Sequence, residues 1–274
     1  MVACALYARA AACGYEAELM SRPRLDVTDA SQVRTVVDQI RPVVVLHTAA
    51  LTKVNYCQEH SDEAYAVNGE GTANVVAAAR SHGATVVYFS TDYVFNGLND
   101  RPWVESDTPA PLNVYGASKL AGEQHIAEYE HGYTIRTSGV FGLRTPEPER
   151  NFFKAIAAQL RSGAENIEVV GDQFTAITYA SHLAEMVFAV LAAPPARCLH
   201  LTSAGSDSWA GWARTAAGVL GSDPQRIHEI ATPPEDATPR PRYSVLGTGI
   251  EQVNQLVVGH PARQGLADYL VPVP

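Results

Sequence analysis

Ala84-Thr85-Val86-Val87-Tyr88-Phe89 is an apolar run that reads as a buried parallel strand, and Ser90-Thr91-Asp92-Tyr93-Val94-Phe95 follows it without a break. The hydroxyls of Ser90 and Thr91 then emerge at a strand's C-terminal end, where open α/β sheets bind ligands. Downstream, Tyr115-Gly116-Ala117-Ser118-Lys119 lies in a helical segment. Residues four apart on a helix share a face, so Tyr115 and Lys119 can meet the hydroxyl of Thr91.

Working outward, Gly83 separates this strand from a helical pattern over Ser61 to Arg80, with Ala64, Val67, Val75 and Val76 among its apolar positions. Before that, Val43 to His47 is a compact β-branched run, and Asp29 and Gln32 have capping-box spacing ahead of a helix ending near Ile40. Residues Val2 to Cys13 are Ala-rich and helical in pattern, Gly14 is a C-cap, and Glu16 to Met20 reads as a short strand. After the central strand come a polar loop from Asn96 to Pro111, a helix from about Asn113 to Glu130 and a strand over Tyr133 to Arg136. Such alternation predicts an α/β fold, a doubly wound parallel sheet with helices on both faces. Beyond Gly142 the pattern changes. A charged, Pro-containing loop leads to a helix over Asn151 to Arg161, a strand at Ile167 to Val170 and a helix over Ser181 to Leu191. A strand at Cys198 to Thr202, a helix over Trp209 to Val219 and an irregular tail from Ile230 to Arg242 complete the expected order.

With 274 residues, 46% hydrophobic and 18% charged, the chain has the composition of a folded domain able to bury a sizeable core. A net charge of -9 argues against nonspecific nucleic-acid binding, which needs a basic surface. No stretch is long and apolar enough to cross a bilayer, and the N-terminus lacks a signal-peptide pattern, so a cytoplasmic location is expected. Cys4, Cys13, Cys57 and Cys198 lack Cys-x-x-Cys spacing and are read as four buried, reduced thiols. The nine histidines show no His-Glu-x-x-His pattern, and no metal is expected. Glu105 and Asp107 lie in the polar loop and are read as solvated rather than as paired catalytic carboxylates.

Tyr-x-x-x-Lys alone is a weak signal, equally consistent with a surface pair on an amphipathic helix. Its context is more specific. Leu25-Asp26-Val27-Thr28-Asp29, His47-Thr48-Ala49-Ala50-Leu51-Thr52-Lys53-Val54, Val67-Asn68, Ser90 to Phe95, Pro111-Leu112-Asn113-Val114-Tyr115-Gly116, Ser118-Lys119-Leu120, Arg136-Thr137-Ser138 and Arg240-Pro241 occur in order over nearly the whole chain. In these words the sequence resembles the extended short-chain dehydrogenase/reductase family, and within it the dTDP-4-dehydrorhamnose reductase branch, whose members reduce nucleotide-linked 4-keto sugars.

The resemblance implies a Rossmann-like dinucleotide-binding core over residues 1–142. Residues 143–274 would mainly form a smaller C-terminal cap that binds substrate, with segments returning to the core. It implies Tyr115 as proton donor, Lys119 as the charge that stabilises its phenolate and holds the nicotinamide ribose, and Thr91 as a partner of the substrate oxygen. Ketone reduction needs such an acid beside the carbonyl. Cofactor contacts are expected from Ser21, Arg22, Asp26, Val27, Ala49 and Ala50 besides Tyr115 and Lys119, and substrate contacts from Thr52, Val54, Thr91 and Tyr93. Ser21-Arg22 suits the 2'-phosphate of NADP, where an acidic residue would suit NAD, so NADP(H) is favoured over NAD(H), with a solvated loop arginine as the alternative. Asn68 would have a supporting role. The expected partner is a nucleotide-linked sugar, and a homodimer is compatible with the family.

The sequence also departs from the family. The first strand and Gly-rich turn that open a dinucleotide fold are missing from the sequence as given, with Ala3 at the place of the turn's last glycine. A late start codon, a truncation or a real loss would each account for this. Gly139 stands where rhamnose-type reductases commonly have a tryptophan, and Ile177 where a proline is usual. Two other functions therefore stay open: a noncatalytic subunit resembling the regulatory subunit of methionine adenosyltransferase, and a nucleotide-sugar epimerase or dehydratase using the same Tyr and Lys with tightly held NAD.

Overall fold

The computed structural model describes residues 1–142, 151–233 and 238–271. Its strands are β1 (Val44–His47), β2 (Thr85–Thr91), β3 (Gly132–Thr137), β4 (Val140–Phe141), β5 (Ile167–Val170), β6 (Phe174–Thr175), β7 (Thr178–Tyr179), β8 (Cys198–His200), β9 (Asp207–Ser208) and β10 (Ile227–Ile230). Its helices are α1 (Val2–Ala12), α2 (Ala30–Ile40), α3 (Val54–Glu59), α4 (Ser61–Tyr65), α5 (Gly71–Arg80), α6 (Val114–Ala127), α7 (Phe152–Arg161), α8 (Ala180–Val190), α9 (Trp209–Val219), α10 (Glu251–Val258) and α11 (Ala262–Leu270).

The expected parallel sheet is present, in the order β1-β2-β3-β8. β2 lies inside it, pairing with β1 from Val44↔Thr85 to His47↔Tyr88 and with β3 from Val86↔Gly132 to Thr91↔Thr137. Side chains alternate between faces with period two. Val87 and Phe89 meet Ala5 and Leu6 of α1 and Leu183, Met186 and Val187 of α8, whereas Val86 and Tyr88 meet Val33 and Val37 of α2, Val75 and Val76 of α5, and Ile126 of α6. Both faces are thus covered, as a doubly wound sheet requires.

Local chemistry sets the helix starts. Asp29 caps α2 by accepting from the amides of Ser31 and Gln32, and Asn113 caps α6 by accepting from that of Gly116. The capping box is one-sided, because Gln32 turns its side-chain oxygen to the Asp26 amide. The single helix expected over Ser61 to Arg80 is two helices joined by a π-helical turn, Ala66–Glu70.

A second region rests on β5 paired with β10, with α7 and α9 packed around them through Ile156, Leu160, Ile167, Ala213 and Ile227. A further core joins Phe141, Phe153, Ile177, Trp212, Leu266 and Leu270. Short pairs β4–β7 and β6–β9 connect the segments between them.

Four readings need correction. Glu16 to Met20 forms no strand, and among the described residues β1 has no partner on its outer side; an isolated extended run gains no ladder bonds. The helices α3, α10 and α11 and the strand β10 arise where the sequence showed none, the last because β5 offers it an edge. The thiols are free, but Cys13 is exposed, Cys4 and Cys198 are half-buried and only Cys57 is buried. Neither Glu105 nor Asp107 is a solvated loop carboxylate: Glu105 accepts from the His200 amide, the Thr248 hydroxyl and the Gly249 amide, and Asp107 accepts from the Arg101 guanidinium and the Val104 amide. The charged loop expected after Gly142 falls on 143–150, and 234–237 of the expected irregular tail likewise lie outside the described residues. No helix among the described residues is long and apolar enough to cross a membrane.

Candidate active site

Thr91 and Ser90 are the last two residues of β2, buried by its neighbours on both sides. α6 runs beside the strand, its start fixed by Asn113, whose side-chain amide also donates to the Pro239 carbonyl. Thr52, Val54, Thr91, Tyr93 and Tyr115 all line one cavity of about 240 Å³. Tyr93 and Tyr115 meet edge to face with ring centres 5.8 Å apart. Lys119, one turn along the same helix, is 2% exposed. Its ammonium lies 4.0 Å from the centre of the Tyr88 ring and has no hydrogen-bond acceptor among the described residues.

Burial drives the electrostatics. It pushes the Tyr115 phenol well above its ordinary value, with Asp92 and Cys57 adding to the rise while a hydrogen bond with Thr91 pulls it back. It pushes Lys119 down to about 7, opposed by the Glu123 carboxylate. His47, on β1, is held down to about 3 by burial and then by the Lys119 charge, so it is a neutral ring, bonded to Thr72. The site therefore holds a protonated phenol beside an amine close to its titration point.

Asn68 joins the parts. It accepts from the Leu51 amide and donates to the Leu51 carbonyl and the Ser118 hydroxyl, so one side chain ties the loop after β1 to α6. The supporting role expected of it is thereby given contacts.

The other predicted residues lie elsewhere. Ser21 and Arg22 are exposed on a turn, and Arg22 pairs with Asp26 at 3.0 Å. The Asp26 carboxylate also accepts from the Thr28 amide and hydroxyl, as a turn-forming aspartate does. Val27 is buried, its side chain against Gly71, where a Cβ would come within 2.8 Å of it. Ala49 is exposed and Ala50 half-buried in the loop after β1. None of these six lines the cavity that holds Tyr115.

Sequence reasoning missed Asp92, Phe174, Thr175, Trp209 and Ser244, which complete the cavity wall with Gln173, Pro241 and Gly139. Gly139 has φ +50°, and a Cβ there would lie 2.9 Å from the Ala176 carbonyl oxygen, so this backbone path leaves no place for the tryptophan of the family pattern. Trp209 and Phe174 supply aromatic walls instead. A larger hollow of about 560 Å³ lies at Val190, Gln252, Gln255 and Leu256, but no acid, base or nucleophile lines it. Among the described residues no cluster of His, Cys, Asp and Glu is arranged to hold a metal.

Asp92 is buried and accepts hydrogen bonds from Thr91 at 3.1 Å and Thr175 at 3.5 Å; burial raises it from 3.8 to about 6 against these bonds and one from Ser244. Between pH 4 and 6 the folded chain keeps a proton the unfolded chain has released, so this carboxyl lowers stability as pH rises through that window, and the loss persists above it. We expect Asp92→Asn to gain stability relative to wild type on going from pH 4 to pH 7, by something on the order of 3 kcal/mol. Urea unfolding at both pH values reads the difference, and parallel pH dependences for the two proteins would count against it.

Three comparisons bear on this arrangement. The sequence profile of the family described as the RmlD substrate binding domain matches residues 1–273. The chain is 35% identical over 274 residues to the dTDP-4-dehydrorhamnose reductase of Streptomyces griseus, covering 93% of this chain and 88% of that one. It is also 35% identical over 234 residues to the dTDP-4-keto-6-deoxy-D-glucose reductase of Streptomyces niveus, covering 83% and 78%. Among solved structures it is similar to the dTDP-4-dehydrorhamnose reductase of Bacillus anthracis in complex with NADP, with a TM-score of 0.83, 33% identity and coverage of 94% and 90%.

Proposed function

Because the chain belongs to the RmlD substrate binding domain family, we propose that it is an oxidoreductase that uses NADPH to reduce a nucleotide-linked 4-keto-6-deoxy sugar, as dTDP-4-dehydrorhamnose reductases do. One observation carries the reading: Thr91 and Tyr115 line a single cavity, with Lys119 buried one helical turn behind the phenol.

Tyr115 delivers the proton to the developing alkoxide. A phenol with an unperturbed pKa near ~10 needs nearby positive charge to release a proton at neutral pH, and Lys119 supplies it. Thr91 orients the ketone oxygen, while Tyr93, Thr52 and Val54 hold the sugar. NADPH, when bound, supplies the hydride. Three features support the fit of a nicotinamide nucleotide. The Lys119 ammonium keeps its donors for a ribose hydroxyl, the buried Ser90 hydroxyl has no partner among the described residues, and Ala49 and Ala50 offer only methyl groups at the end of β1. Tyr115 joins Lys119 at the ribose. Ser21 and Arg22 take the 2'-phosphate, with Arg22 exchanging Asp26 for it, and Asp26 and the Val27 backbone face the adenine. Residues 1–142 mainly serve the dinucleotide and 143–274 the sugar. We further assign the protein to the cytoplasm, acting on a soluble nucleotide sugar, as a homodimer.

The test is consumption of NADPH by the purified protein with a dTDP-4-dehydro-6-deoxy sugar, followed by absorbance, with the product identified by mass spectrometry. We expect turnover with added NADPH and release of the reduced sugar. Absence of turnover, together with co-purifying NAD, would move the assignment to an epimerase or dehydratase; absence of both turnover and cofactor binding would favour the noncatalytic subunit.

A further inference from the structure

We propose that Tyr88 is a positioning residue of the proton-delivery site, its ring being the seat that holds the Lys119 ammonium. This rests on the reading of Tyr115 and Lys119 as that site. Tyr88 is fully buried on β2, three residues before Thr91, and the ammonium of Lys119 stands 4.0 Å from its ring centre. A cation at this distance over an aromatic face is held by the ring quadrupole, most strongly where water is excluded.

The ring is fixed at both ends. Its backbone is in the sheet, and its hydroxyl donates to the Asn68 carbonyl at 3.3 Å and the Lys119 carbonyl at 3.2 Å. The helix is shaped around it: a Cβ at Gly122 would lie 2.4 Å from the Tyr88 hydroxyl oxygen and 2.5 Å from the Asn68 carbonyl oxygen. A tyrosine that only filled space would need no lysine above its face. The charged and titratable neighbours leave the ring as the group that holds the amine. On α6 itself, Glu123 favours the charged amine through its own charge but makes no hydrogen bond to it, both its oxygens being taken by the bidentate Arg136 of β3, and Tyr115 is a neutral phenol facing Asp92 and the Cys57 of α3. On β1, His47 is neutral, its ring centre 5.5 Å from that of Tyr88. Lys119, already pushed down to about 7 by burial, loses a stabiliser of its charged form if the ring is removed.

The chain has three lysines, Lys53, Lys119 and Lys154, so lysine side-chain NMR with a carbon-13 label resolves the question without substrate or cofactor. Loss of one signal in Lys119→Met assigns Lys119. In the wild type we expect the Lys119 side-chain protons to be displaced upfield by the Tyr88 ring current. In Tyr88→Leu that displacement vanishes and the titration midpoint falls by about one unit, a tenfold loss of proton affinity worth about 1.4 kcal/mol. In Tyr88→Phe, which keeps the ring and drops the hydroxyl, the midpoint stays within a few tenths of a unit of wild type. The alkaline limb of the kcat/KM profile follows the same order.

An unchanged midpoint in Tyr88→Leu overturns the proposal, as does a Tyr88→Phe shift equal to that of leucine. A wild-type spectrum with no ring-current displacement overturns it even if the leucine variant does not fold. The expected shifts in a protein that consumes no NADPH with any ketosugar support the seat for the lysine and overturn the reductase reading alone.

Discussion

Replacing Tyr115 with phenylalanine is expected to lower kcat for ketosugar reduction by about 10²–10⁴-fold, the range a positioned acid contributes, while leaving the KM for the sugar within a small factor. Phenylalanine keeps the ring, and so keeps the edge-to-face contact with Tyr93 at 5.8 Å. Only the hydroxyl and its bond with Thr91 are lost. Steady-state kinetics at several pH values separates the possibilities. On the proposed mechanism the wild-type rate is expected to fall as pH rises through the Lys119 pKa of about 7, because the neutral amine would no longer stabilise a phenolate. The phenylalanine variant has no phenolate to stabilise, so its residual rate loses that limb. If Tyr115→Phe turned over at the wild-type rate with the wild-type pH profile, the proton donor would have to be another group.

The second large effect is on stability. Glu123 and Arg136 form a bidentate pair at 2.9 and 2.7 Å, with side chains 9% and 6% exposed, respectively. Arg136 also lies over the Phe95 ring at 5.2 Å and approaches His200, which is bonded to the carbonyl oxygens of Trp103 and Gly247. Removing one partner of such a pair strands the other charge, at a cost of about 3–5 kcal/mol. Glu123→Ala should therefore unfold at much lower urea concentration than wild type. The double variant Glu123→Met, Arg136→Met should recover most of the loss, since a well-packed apolar pair can replace a buried ion pair. The Arg214–Glu229 pair, 38% and 51% exposed, is a control: exposed pairs contribute roughly 0–1 kcal/mol. A loss in Glu123→Ala no larger than in Glu229→Ala would refute this account.

Much of the sheet was legible because its strands are short apolar runs bounded by turns, and because Thr91, Tyr115 and Lys119 belong to segments whose local geometry carries them to one place. Thr91 ends a strand, and the phenol and amine share a helix face. The cavity's far wall was not legible for the opposite reason. Thr175 reaches Asp92 across 83 residues of sequence, and Trp209, Phe174 and Ser244 meet the site only through packing of distant segments, which leaves no periodic trace. Glu105 looked solvated because its partners, His200, Thr248 and Gly249, are remote in the chain. The expected strand at Glu16 to Met20 failed because extended structure needs a neighbour, whereas Ile227 to Ile230 succeeded because β5 was there to receive it.

The π-helical turn at Ala66–Glu70 makes the site sensitive to the length of the chain as well as to its side chains. A π turn accommodates one residue more than a regular helix has room for. Deleting a single residue there would restore an unbroken helix with Ser61–Tyr65 and Gly71–Arg80 close to their present facing, but it would change the direction in which the residues of the turn itself point. Asn68 sits inside the turn, with its carbonyl receiving both the Tyr88 and the Thr72 hydroxyls. The surplus residue thus works as a spacer that sets where Asn68 meets Leu51 and Ser118. A frame-preserving deletion of one codon in this turn is expected to uncouple the loop after β1 from α6 without altering any residue that lines the cavity.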